Sequence, residues 1–100
     1  MCGFVGKVNF EKNNLIHKSE ILKMTDCLFH RGPDSGDTYI QNNIGMGFRR
    51  LSIIDLENGN QPMKSNDKNI IITFNGEIYN FKNLKQKLIS KGYNFNTNSD

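Results

Sequence analysis

The sequence predicts a mixed α+β fold with antiparallel strand pairing, and three observations predict it. Two stretches, 19–29 and 80–91, repeat apolar residues at helical spacing. Several short runs of β-branched and aromatic residues lie around and between them. No internal repeat, low-complexity tract or interdomain linker divides the 100 residues, so one domain or a piece of one is expected.

The elements follow in order. Residues 2–10 are apolar and β-prone, with Gly3 and Gly6 among them, and predict a strand that begins at the very first residues. Residues 11–14 predict a polar turn. Ser19 is placed to cap a helix running to about Phe29, with Glu20 in its first turn. Ile21, Met24 and Leu28 form the stripe of that helix, widened by Leu22 and Phe29. His30-Arg31-Gly32-Pro33-Asp34 breaks it, because proline disfavours the helical basin for the residue before it. Short strands are expected at 38–41, 46–48 and 51–55, then a polar loop over 57–68. Ile70-Ile71-Ile72, within 68–74, reads as a strand buried on both faces. Asn75-Gly76 is the strongest turn signal in the chain. Asn80 is expected to cap a second helix with the stripe Phe81, Leu84 and Leu88, and Gly92 sits where a C-terminal cap belongs. Residues 93–96 have the composition of a further strand. The chain stops straight after that segment, which leads to the expectation of a domain incomplete at its C-terminus.

Composition excludes several classes. Charged residues make up 23% and hydrophobic residues 36%, a balance suited to a folded globular chain and not a disordered one. No apolar run approaches the roughly 18 residues that span a bilayer, so no membrane partner is expected. The N-terminus lacks a basic n-region and a small-residue cleavage site, and a cytoplasmic location is expected. Cys2 and Cys27 form no CxxC and no metal spacing, which argues against a disulfide scaffold and a metal site. The net charge is +3, with lysines densest at Lys82, Lys85, Lys87 and Lys91. No basic block is interleaved with aromatics, so no nucleic-acid partner is expected.

Four features could carry chemistry. A small residue at position two permits removal of Met1, which would give Cys2 a free α-amino group. Such an amine titrates at about 7.7–8.0, so one residue would hold both nucleophile and general base. The other reading of Cys2 is a buried strand cysteine. Asn75 and Gly76 could supply a side-chain amide and a backbone N–H to one oxyanion, or they could be a plain hairpin turn. Arg49-Arg50, at the head of the strand expected at 51–55, could grip a carboxylate in a bidentate fork, or be a solvated charge pair. Asp100 could bind an ammonium group, or be an exposed terminal residue. Cys27 reads as helix core, His17 as solvated at a helix start, and His30 as structural. Met24, Met46 and Met63 read as core.

Together the motifs resemble one family. Met-Cys-Gly-Phe-Val-Gly at 1–6, His-Arg-Gly-Pro-Asp at 30–34 and Arg-Arg-Leu-Ser-Ile-Ile-Asp at 49–55 come first. Gln-Pro-Met at 61–63, Phe-Asn-Gly-Glu-Ile-Tyr-Asn at 74–80 and Ser-Asp at 99–100 follow. In this order and spacing they are similar to the N-terminal class II glutamine amidotransferase domain of glutamine-hydrolysing asparagine synthetases. Each motif is weak alone; the set is specific and covers nearly the whole chain.

The resemblance implies the αββα sandwich of N-terminal nucleophile hydrolases, of which residues 1–100 would hold the first part of a glutaminase domain, incomplete at its C-terminus. It implies that L-glutamine is the substrate and Cys2 the nucleophile. Asn75 and Gly76 would be the oxyanion hole, and Arg50 would bind the α-carboxylate. Leu51, Ser52, Ile53, Ile54 and Glu77 would complete the pocket, and Asp100 would hold the α-amino group. It places no metal or cofactor in this chain. ATP and magnesium belong to a synthetase domain that residues 1–100 do not contain, and a homodimer is compatible with the family. Phe48 departs from the pattern, standing where many relatives carry His, just outside these contacts. Two other readings stay open: a relative that delivers ammonia to a different acceptor, and an inactive fragment or non-enzymatic binding module.

Overall fold

The computed structural model describes residues 2–52, 59–98 and 100. Seven elements follow along the described chain: β1 (Gly3–Val8), α1 (Lys18–Asp26), β2 (Ser35–Gln41), β3 (Ile44–Arg50), β4 (Met63–Lys64), β5 (Ile71–Ile72) and α2 (Phe81–Ser90). The architecture is α+β and every pair of named strands is antiparallel, as the sequence predicts.

β1, β3 and β2 form one sheet in that order. β2 and β3 are joined through Asn42-Asn43, with Gln41 facing Ile44. Asn42 takes a positive φ of 53°, a conformation that asparagine tolerates and a tight hairpin needs. Side chains alternate across the sheet. On one face α1 lies against β3, which offers Gly45 and Gly47 beneath Ile21 and Thr25. Ile21 is fully buried there, a burial that stabilises by about 1.5–3 kcal/mol. Thr25 satisfies its buried hydroxyl by donating to the Ile21 carbonyl at 2.6 Å. The opposite face carries Phe4, Val8, Ile44, Phe48 and Arg50; of these Phe48 and Arg50 are buried, and Phe4 and Val8 are more than half exposed.

Helix α1 differs from expectation at both ends. Its N-cap is His17, not Ser19. The backbone N–H of His17 donates to Glu20 Oε2 at 3.3 Å, so the glutamate three positions on decides the start. The regular helix stops at Asp26, and residues 27–31 continue as tighter turns, with Leu28 bonded to Thr25 and Phe29 to Asp26. That turn carries Cys27 to an exposed position instead of the core. Met24, Met46 and Met63 are only half-buried.

Glu20 also accepts from Lys7 Nζ at 3.0 Å, tying α1 to β1. Lys7, then the His17 backbone, hold its carboxyl below the ordinary value. A depressed carboxyl stabilises the fold above its unfolded pKa, about 4.3, and loses that contribution as pH falls through the lower folded value. In Glu20→Gln the unfolding midpoint should fall below wild type at neutral pH, and the gap should close in acid. A gap independent of pH would sink this account.

The second half departs further from expectation. Residues 57–68 are not all loop: Met63 and Lys64 pair with Ile72 and Ile71. The Ser65 N–H donates to the Ile70 carbonyl at 2.9 Å, closing the hairpin. The apolar run is not a doubly buried strand, since Ile70 is 66% exposed and Ile72 52% exposed. It pairs along one edge only, with no second strand beside it among the described residues. Leu51 and Ser52 follow β3 outside any strand, and the remainder of the strand expected at 51–55 lies outside the described residues. Arg49 and Arg50 therefore end a strand and do not head one.

α2 begins after Asn80, whose side chain makes no capping bond. It ends as predicted at Gly92, with φ +93°. There Gly92 N–H reaches Ile89 O, and Tyr93 N–H reaches Leu88 O at 3.1 Å, the pair of bonds that a left-handed cap makes. Residues 93–97 form no strand among the described residues. They run back along α2 instead, where Lys85 Nζ donates to Thr97 O at 3.0 Å and lies over the Phe95 ring. No helix among the described residues is long and apolar enough to cross a membrane.

Candidate functional site

The site is built where the exposed face of the sheet meets the hairpin β4–β5. Cys2 enters from the start of β1. Its sulfur is held by one neighbouring residue in two ways: Leu51 N–H donates to Sγ at 3.3 Å, and the thiol donates to Leu51 O at 3.6 Å. Arg31 Nε donates to the Cys2 carbonyl at 3.3 Å. The cysteine is half-buried, so the thiol is positioned yet reachable.

The motif 30–34 makes this arrangement. Arg49 Nε donates to Gly32 O at 2.7 Å, and the Arg49 guanidinium lies 4.8 Å from the centre of the Phe29 ring, a cation–π contact. Pro33 bridges to Arg50 in parallel, and Asp34 N–H donates to Arg50 O at 3.1 Å. The Asp34 carboxylate accepts from Ser52 N–H at 2.7 Å. The break in the helix therefore straps the chain at Cys2 to the chain at residues 50–52. Ser52 does not line the cleft; its backbone N–H serves this strap. Ile53 and Ile54 lie outside the described residues.

A cleft of about 780 Å³ opens beside Cys2, within the range of small-molecule sites. Arg50, Leu51, Asn75 and Gly76 line it together with Cys2. Glu77 and Asp100 line it as well. Residues far apart in sequence thus line one cleft. Arg50 is buried, 5% exposed. Asp100 is anchored by Ile78 N–H, which donates to Oδ2 at 2.6 Å. Asn75-Gly76 does not turn the chain back into a strand; no strand follows it before α2 among the described residues. Ile72, Phe74 and Phe95 add apolar lining to the same cleft. A cation, two carboxylates and a thiol in the lining of one cleft complement a zwitterionic amino acid.

The sequence profile of the glutamine amidotransferase domain family matches residues 1–100. The chain belongs to this family. The glutamine-hydrolysing asparagine synthetase 1 of Bacillus subtilis (strain 168) is 49% identical, matched over 100% of this chain and 16% of its own length. Asparagine synthetase 2 of the same organism is 43% identical over 100% of this chain and 13% of its own. The Zea mays asparagine synthetase is 38% identical, with 100% and 17% covered. The chain thus spans about one-sixth of the length of the curated relatives it matches.

Three features of this amidotransferase chain were missed as site residues. Arg31 and Asp34 hold the cleft wall, and Gln61 lines the cleft; all three stand in motifs that the resemblance rests on. Phe48 is not outside the site: it is 1% exposed and its side of β3 forms part of the cleft wall. His17 and His30 are both exposed, and neither lines the cleft. Among the described residues no group of three or more His, Cys, Asp or Glu side chains is placed to hold a metal ion.

Proposed function

We propose that the chain hydrolyses the side-chain amide of L-glutamine through a thioester on Cys2. The carrying observation is the single cleft shared by Cys2, Arg50, Asn75, Gly76 and Asp100. With Met1 removed, the Cys2 amine takes the thiol proton. The sulfur attacks the amide carbon, forming the C–S bond, and the carbonyl oxygen becomes an oxyanion. The Asn75 amide and Gly76 N–H stabilise it. Arg50 holds the α-carboxylate, and Asp100 with Glu77 faces the α-ammonium. Collapse breaks the C–N bond, the departing nitrogen takes the proton, and ammonia leaves. Water then cleaves the thioester and releases glutamate.

The relatives are named as glutamine-hydrolysing asparagine synthetases, which supports asparagine synthesis in a longer polypeptide as the destination of the ammonia. The family resemblance adds to this reading a synthetase domain that uses ATP and magnesium to convert aspartate to asparagine. In that polypeptide residues 1–100 form the opening part of an αββα glutaminase domain. The apolar face of the sheet, with Phe4 and Val8 exposed, supports a layered packing of that kind.

Hydroxylamine tests the thioester. Incubated with glutamine and hydroxylamine, the natural-length protein should release γ-glutamyl hydroxamate, because hydroxylamine attacks the C–S carbonyl in place of water and frees the thiol. Glutamate production with no hydroxamate at any hydroxylamine concentration would exclude an acyl-enzyme on Cys2.

A further inference from the structure

We infer that Gln61 is a positioning residue for the bend at Asn75-Gly76, an inference that rests on reading that bend as the oxyanion site. The bend belongs to no strand or helix, yet oxyanion donors must be held to within a fraction of an ångström. The ladder of β4 and β5 ends at Ile72, short of the bend. In its register Met63 faces Ile72, so the next pair on the same side of the ladder would be Gln61 and Phe74. Pro62 stands between Gln61 and Met63 and has no N–H to offer the ladder.

The Gln61 side chain takes the place of a strand there. Its Nε2 donates to Phe74 O at 3.1 Å, and its Oε1 accepts from Phe74 N–H at 2.5 Å. A carboxamide carries the same donor and acceptor as a peptide group, so one side chain occupies both backbone groups of Phe74. Phe74 immediately precedes Asn75. Its ring also packs on the bend: a Cβ at Gly76 would lie 2.8 Å from Phe74 Cζ. Gln61 thus fixes the residue that sets the direction of both oxyanion donors.

The test uses the natural-length protein. Gln61→Ala should lower kcat for glutamine hydrolysis by about 10–100-fold, because a misplacement near 1 Å costs on the order of 10²-fold. KM for glutamine should change by less than about threefold, since Arg50 and Asp100 are untouched. The rate of Cys2 alkylation by iodoacetamide should equal wild type, as the bend has no part in that reaction. Gln61→Glu, isosteric and able to accept but not to donate, should fall between the two and covers the case in which the alanine variant does not fold. In the background of Asn75→Ala, the Gln61→Ala change should cost much less than it does alone, since both act on one oxyanion. Wild-type kcat in both Gln61 variants, a loss confined to KM, or full additivity with Asn75→Ala would overturn the inference. If Asn75→Ala itself keeps wild-type kcat, it is the oxyanion reading that fails, an outcome distinct from normal kcat in the Gln61 variants beside an impaired Asn75→Ala.

Discussion

Cys2→Ala in the natural-length protein should abolish glutamine hydrolysis, by at least about 10³-fold, because removing the nucleophile of a covalent mechanism leaves only binding and oxyanion stabilisation. Synthesis driven by added ammonia should stay close to wild type, since ammonia does not need the thiol. The structure gives this prediction a control. Cys27 follows α1 on the exposed turn and does not line the cleft, so Cys27→Ser should retain the full rate. Cys2→Ser keeps a hydroxyl in place of the thiol, between the N–H and the carbonyl of Leu51. It should bind glutamine in calorimetry as wild type does, yet turn it over slowly. Glutamine-dependent synthesis surviving in Cys2→Ala would end the proposal.

Much of the fold was legible because the relevant forces are local. Helical periodicity placed both helices, and the left-handed position at Gly92 marked the end of α2. The errors came where partners far away in sequence decide the outcome. Ile70-Ile71-Ile72 has the composition of a buried strand, but composition does not supply the second neighbour that burial requires. β4 was hidden because Pro62 and polar residues surround a two-residue pairing. His17 won over Ser19 as the cap through Glu20, a signal present in the sequence and outweighed by the usual preference for serine. At the site, chemistry-bearing residue types were legible: a thiol, an amide beside glycine, an arginine and an aspartate. The residues that arrange them were not. Arg31, Asp34 and Gln61 act through backbone groups, and backbone partners leave no pattern in side-chain composition.

Gly32→Ala should be severely damaging although it lies outside the cleft. A Cβ there would lie 2.5 Å from Arg50 N and 2.6 Å from Arg49 O. These are backbone atoms of β3, so no rotamer change relieves the overlap, and segment 31–34 must move off the strand. That segment carries every bond of the strap: Arg31 to the Cys2 carbonyl, Arg49 to Gly32, Asp34 to Arg50 and Asp34 to Ser52. The cost should reach about 3 kcal/mol, the upper range for overpacking a close contact, read as a clear drop in Tm by calorimetry. Gly6→Ala is the matched control, because the nearest atom to its Cβ would be Gly45 O at 3.8 Å, an ordinary contact. Its stability should stay within about 1 kcal/mol of wild type. The two variants also separate fold from site. In whatever fraction of Gly32→Ala folds, Cys2 loses its hold on Arg31 and Arg50 shifts with the strap, so KM for glutamine should rise while Gly6→Ala leaves it unchanged. Equal Tm and equal KM in the two variants would mean that the strap does not organise the cleft.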